Sequence, residues 1–92
     1  MKYIYPMEDT DKTLNTIYDI VKDDPQPQTY KCRPREIILR QYQSWTTIEK
    51  QLKVLKDEGL VEIQQEDTIV ITITKQGIEK VQNELREHWK NA

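Results

Sequence analysis

Ninety-two residues carrying a net charge of −2, 36% of them hydrophobic and 33% charged, fit one small domain and no more. No run approaches the roughly 18 apolar residues that a membrane span requires. A single cysteine, Cys32, excludes an internal disulfide and a cysteine-only metal cluster, and two glycines are too few for a phosphate-cradling loop.

The chain opens with Met1-Lys2-Tyr3-Ile4-Tyr5-Pro6-Met7, too apolar for an idle tail and broken by proline before any secretion-signal pattern develops. Residues 1–9 are expected as an extended N-terminal arm, in a protein of the reducing cytoplasm. Asp9, Thr10 or Asp11 can cap a first helix running to about Asp23, whose Leu14, Ile17, Tyr18 and Val21 share one stripe. Pro25 and Pro27 end it and stiffen the connection, after which Thr29-Tyr30-Lys31-Cys32 can form a short strand. Pro34 suits the first turn of a second helix, Arg35 to about Gln41, that buries Ile37 and Ile38.

A tight turn at Tyr42-Gln43 leads to Ser44, an N-cap for a third helix, 44–58, with Trp45, Ile48, Leu52 and Leu55 on its apolar side. Gly59 supplies the left-handed residue that stops it, and Leu60 stands where a side chain folds back on the last turn. Val61 and Ile63, then Ile69, Ile71 and Ile73, alternate with polar residues on either side of Gln65-Glu66-Asp67, the period-two pattern of a β-hairpin. Val70 breaks that alternation on the outer face. Thr74 caps a last helix, 75–90, with Ile78, Val81, Leu85 and Trp89 in a narrow stripe beside His88. The fold class is therefore mainly α with a small antiparallel β-hairpin (α+β), a single domain over 1–92. Its order is helix, short strand, helix, helix, strand, strand, helix. Two short helices joined by a tight turn and followed at once by a hairpin form the winged helix-turn-helix arrangement.

Charge is unevenly spread. Residues 31–56 hold seven basic groups against two acidic ones, leaving +5 there and −7 on the rest of the chain. Attraction to phosphates follows the local field over a Debye length of about 8–10 Å, so the negative total does not exclude nucleic acid.

Residues 47–61 resemble the recognition helix of ArsR-type bacterial regulators: Thr47-Ile48, then Leu52-Lys53-Val54-Leu55, then Gly59-Leu60-Val61. Ile71-Thr72-Ile73-Thr74-Lys75-Gln76-Gly77 is similar to the strand-to-helix junction of MarR- and PadR-type regulators. The resemblance implies a sequence-specific, dimeric regulator of transcription that binds double-stranded DNA. The family's cysteine-rich metal box is absent, and neither metal nor other cofactor is expected.

A third helix of this kind docks with its N-terminal residues toward base edges. Gln43, Ser44, Thr46, Thr47, Lys50 and Lys53 are the candidates for that contact, since lysine donates to guanine O6/N7 and glutamine pairs with adenine. Arg33, Arg35 and Arg40, with Lys31, lie on or before the second helix and are candidates for phosphate contacts, which position without reading sequence. The competing readings are a solvated helix face and pairing of the arginines with Glu36 or Glu49. Ile78, Val81, Leu85 and Trp89, joined by Tyr3 and Tyr5 of the arm, are expected to form a homodimer interface; packing back on the first helix is the alternative. No nucleophile–base spacing is present, so an enzyme is not expected. The acidic hairpin tip, Glu66-Asp67, motivates a second functional reading: a winged-helix module that binds protein and not DNA.

Overall fold

The computed structural model describes residues 9–90, with side chains described over 12–86. The expected N-terminal arm, with Tyr3 and Tyr5, and the Trp89 and His88 side chains lie outside these described residues. Among the described residues, four helices and one two-stranded antiparallel hairpin make an α+β arrangement dominated by helix. The order is α1 (Asp9–Val21), a 3-10 turn (Pro27–Thr29), α2 (Pro34–Gln41), α3 (Trp45–Asp57), β1 (Val61–Gln65), β2 (Ile69–Ile73) and α4 (Lys75–Lys90).

Leu14, Ile17 and Val21 of α1 are fully buried, as their spacing requires, and they meet Ile37 of α2 and Ile48, Leu52 and Leu55 of α3. The inner face of the hairpin (Val61, Ile71, Ile73) and Val81 of α4 close the same core. Burying apolar side chains of this size contributes roughly 1.5–3 kcal/mol each, and the single shared core sets where α3 can lie.

α2 begins at Pro34, whose missing N–H costs nothing in a first turn. The Glu36 carboxylate accepts from the Arg33 N–H at 3.0 Å and from the Tyr30 hydroxyl at 2.9 Å, tying the helix start to the incoming chain. α2 ends at Tyr42, a non-glycine residue in the left-handed region (φ 57°, ψ 35°) whose N–H still reaches the Ile38 carbonyl. Ser44 caps α3, accepting from the Thr47 N–H at 3.3 Å. The far end of α3 is a Schellman closure: Leu60 N–H bonds the Leu55 carbonyl and Gly59 N–H the Lys56 carbonyl, with Gly59 at φ 76°.

The hairpin pairs Val61 with Ile73, Ile63 with Ile71 and Gln65 with Ile69, closed by Glu66-Asp67-Thr68. Thr74 then does two jobs with one oxygen. Its hydroxyl donates to the Gly59 carbonyl at 2.7 Å and accepts from the Gly77 N–H at 3.0 Å, joining the end of α3 to the start of α4.

Three expectations need correction. The short strand at 29–32 does not form, so the sheet has two strands and not three: Pro27–Thr29 make the 3-10 turn, and only Cys32 bridges to β2, exchanging two 2.9 Å bonds with Ile71. The ladder cannot extend in either direction. Its next donors would be residues 30 and 34, but the Tyr30 N–H is spent on the Pro27 carbonyl and Pro34 has none. Val70, expected on an open outer face, is buried at 1% exposure; β2 is contacted there by the connection carrying the 3-10 turn. Of the expected dimer stripe, Val81 is consumed by the chain's own core at 2% exposure and Ile78 packs against that core. Leu85 is half exposed.

Candidate nucleic-acid interface

Because Ile48, Leu52 and Leu55 face the core, residues three and four apart on the opposite side of α3 face solvent. Thr46, Lys50 and Lys53 are all exposed on that side, and neither lysine has an ion-pair partner among the described residues. These three side chains, spaced by four and three, form one outward row.

The N-terminal candidates are partly engaged already. The Ser44 and Thr47 hydroxyls lie 3.0 Å apart, bonded to each other within the helix cap. Gln43 is half-buried and its Oε1 accepts from Gln41 Nε2 at 2.8 Å. Gln41 Nε2 also donates to Thr13 Oγ1 at 3.1 Å, and the Thr13 hydroxyl in turn donates to Gln51 Oε1. Thr13 is fully buried and Gln51 is 5% exposed, so Gln51, which flanks the lysine row in sequence, points inward. This polar cluster links α1, α2 and α3 and positions the start of α3. It leaves Gln41 Oε1 and Gln51 Nε2 without a hydrogen-bond partner among the described residues.

The basic residues before and along α2 do not form one patch. Arg33 Nη1 donates to Thr68 Oγ1 at 2.8 Å and Lys31 Nζ pairs with the Glu66 carboxylate at 2.9 Å, so both brace the hairpin tip. The hydrogen bond from Lys31 holds the Glu66 carboxyl below its ordinary value, and Lys31 and Arg33 add to this electrostatically. The acidic tip is thus half neutralised from within. Arg35 and Arg40 are exposed and without an ion-pair partner among the described residues, but five positions apart on a helix puts them about 140° from each other. Arg40 lies on the Cys32 side, where it partly offsets the burial that pushes that thiol up to about 12. On the Arg35 side stand two apolar side chains that periodicity alone does not mark as exposed, Leu39 and Tyr42, the latter 90% exposed.

Trp45 packs against the core from the first turn of α3. With Leu52, Ile63 and Ile69 it floors a groove of about 200 Å³ between α3 and the hairpin, rimmed by Glu49, Lys53 and Lys56. Among the described residues no group of three or more His, Cys, Asp or Glu side chains is placed to hold a metal ion. No described helix is long and apolar enough to cross a membrane. No protein-family model matches this chain, and a search of curated proteins likewise gives no match.

Proposed function

We propose that the chain is a winged helix-turn-helix regulator of transcription that binds double-stranded DNA as a homodimer in the cytoplasm. α2 and α3 are the helix-turn-helix pair, the β1–β2 hairpin is the wing, and α3 enters the major groove. One observation carries the proposal: the outward row Thr46, Lys50 and Lys53 is exposed, and neither lysine has an ion-pair partner among the described residues. Lysines so placed can donate to guanine edges or to phosphates. Arg35 and Arg40 act as backbone-positioning contacts. Leu85, half exposed on α4 one turn beyond the buried Val81, supports a two-fold contact through its C-terminal half. Half-sites would then stand about 34 Å apart.

The test is a fluorescence-polarisation titration on random duplex DNA at about 50 mM salt, repeated at higher salt. Salt-sensitive binding that disappears in a Lys50→Glu/Lys53→Glu double variant supports the proposal. Absence of salt-sensitive binding by the parent chain overturns it.

A further inference from the structure

The hairpin has one edge that nothing described covers. Ile71 turns its N–H and C=O away from β1, toward Cys32. In an antiparallel ladder its partner Ile63 then also turns away from β2, and Gln65 does the same two residues on. Neither residue's N–H meets a backbone partner among the described residues on that side. Val61 shares the orientation but is buried, so the usable edge runs from Ile63 to Gln65.

Two depressions meet at this edge. One is the apolar groove floored by Trp45, Leu52, Ile63 and Ile69. The other is a more open, polar shelf that follows residues 61–64 of β1; Ile63 and Lys56 line both. The groove, at about 200 Å³, is smaller than the roughly 300–1,000 Å³ that houses a whole small-molecule ligand. It has the size for a side chain delivered by a longer chain, and a chain lying along the shelf would deliver it. Lys53 and Lys56 at the groove's rim are exposed and have no ion-pair partner among the described residues, against one carboxylate there, Glu49; the shelf's own carboxylate, Glu62, alternates with Ile63 and so belongs to the hairpin's opposite face. The rim therefore favours an acidic occupant.

We propose that the Ile63–Gln65 edge accepts an added β-strand from an acidic, apolar segment of a partner protein. One apolar side chain of that segment enters the Trp45/Leu52/Ile63/Ile69 groove, and its carboxylates meet Lys53 and Lys56. Main-chain hydrogen bonds at the edge supply affinity, and the groove and the lysines supply selectivity. The segment requires no DNA.

The experiment is selection of a random dodecapeptide display library on the full chain, followed by two-dimensional NMR titration of the most enriched peptide. Expected are peptides that alternate apolar with acidic residues, and amide shifts centred on Ile63, Gln65 and the α3 residues of the groove. Gln65→Pro removes an edge N–H at an exposed position that an edge strand tolerates. It should weaken the selected peptide at least tenfold, as should Lys53→Glu/Lys56→Glu, with the circular-dichroism spectrum unchanged in both. Enrichment of basic peptides, or no enrichment, overturns the proposal. So do shifts confined to another surface, full affinity in both variants, or edge protection that appears with the chain's own concentration and no peptide.

Discussion

Gly77 sits against the Leu60 carbonyl so closely that a Cβ there would overlap the oxygen outright and stand 2.9 Å from Ile73 Cγ1. The obstruction is backbone, held on one side by the Schellman turn and on the other by the Leu60 carbonyl's own 3.0 Å bond from the Thr74 N–H. A flexible side chain could step aside; this carbonyl cannot. Gly77→Ala is therefore expected to cost at the upper end of the roughly 1–3 kcal/mol typical of overpacking. Thermal unfolding should show Tm lowered by roughly 10 °C or more. An unchanged Tm would mean that α4 starts elsewhere.

Tyr42 gives the opposite case. Its backbone is in the left-handed region at the end of α2, a conformation that costs an L residue about 1–2 kcal/mol, and its side chain is 90% exposed, so little packing offsets the strain. Tyr42→Gly relieves the strain and gives back part of the gain to unfolded-state entropy. The expected result is a stabilisation of up to about 1 kcal/mol in urea unfolding at unchanged m.

The Thr13–Gln51 pair can be dissected by a double-mutant cycle. Thr13→Val strips Gln51 Oε1 of its donor and Gln41 Nε2 of one acceptor in a closed interior, an expected loss of about 1–3 kcal/mol. Gln51→Leu should cost less, because Thr13 Oγ1 keeps Gln41 as donor and the unpartnered Gln51 Nε2 disappears. The double variant should be more stable than Thr13→Val alone. Strict additivity would show that the two side chains do not interact.

Cys32 is fully buried and its thiol is pushed up to about 12 from 9.0, chiefly by burial, with the Glu36 carboxylate adding to it. The folded value lies above the unfolded one, so the thiol's contribution to stability is complete below about pH 9 and is lost as pH climbs toward 12. Alkylation by iodoacetamide at neutral pH should be slow in the native chain and fast once urea unfolds it. Stability measured from pH 8 to 11 should fall less steeply in Cys32→Ala.

The two sets of basic residues should separate in salt titrations of DNA binding. Arg35→Ala or Arg40→Ala should weaken binding to every sequence alike and flatten the slope of log K against log salt by about one unit for each phosphate no longer neutralised. Lys50→Ala should instead cost most on the preferred sequence. Equal effects of all three on random and selected duplexes would remove α3 from base contact.

Much of the fold is legible in the chain because its punctuation is residue-specific. Ser44 and Gly59 bracket α3 through chemistry that few other residues supply, and the alternation of Ile69, Ile71 and Ile73 has no helical reading. The 29–32 segment reads as a strand because Thr, Tyr and Cys suit one locally. Whether a strand forms there depends on where the donors of Tyr30 and residue 34 go, and prolines on both sides decide that. Val70 and Gln51 escape a local reading for another reason. Their neighbours in space, the 3-10 turn at Pro27–Thr29 that packs on β2 and Thr13, are far away along the chain, and a polar Gln51 on a helix reads as solvent-facing until Thr13 is found opposite. The outward row of α3 follows from period alone. The engagement of Arg33 and Lys31 by the hairpin tip does not, because each depends on a partner 35 residues away that only the packed chain brings near; that of Gln43 by Gln41, two residues away, depends on the left-handed turn at Tyr42 between them.

The Thr74 hydroxyl carries a mechanical consequence. By holding the Gly59 carbonyl and the Gly77 N–H at once, it fastens the exit of α3 to the entry of α4 through one atom. One substitution, Thr74→Val, would therefore strip a hydrogen bond from both helix ends at once.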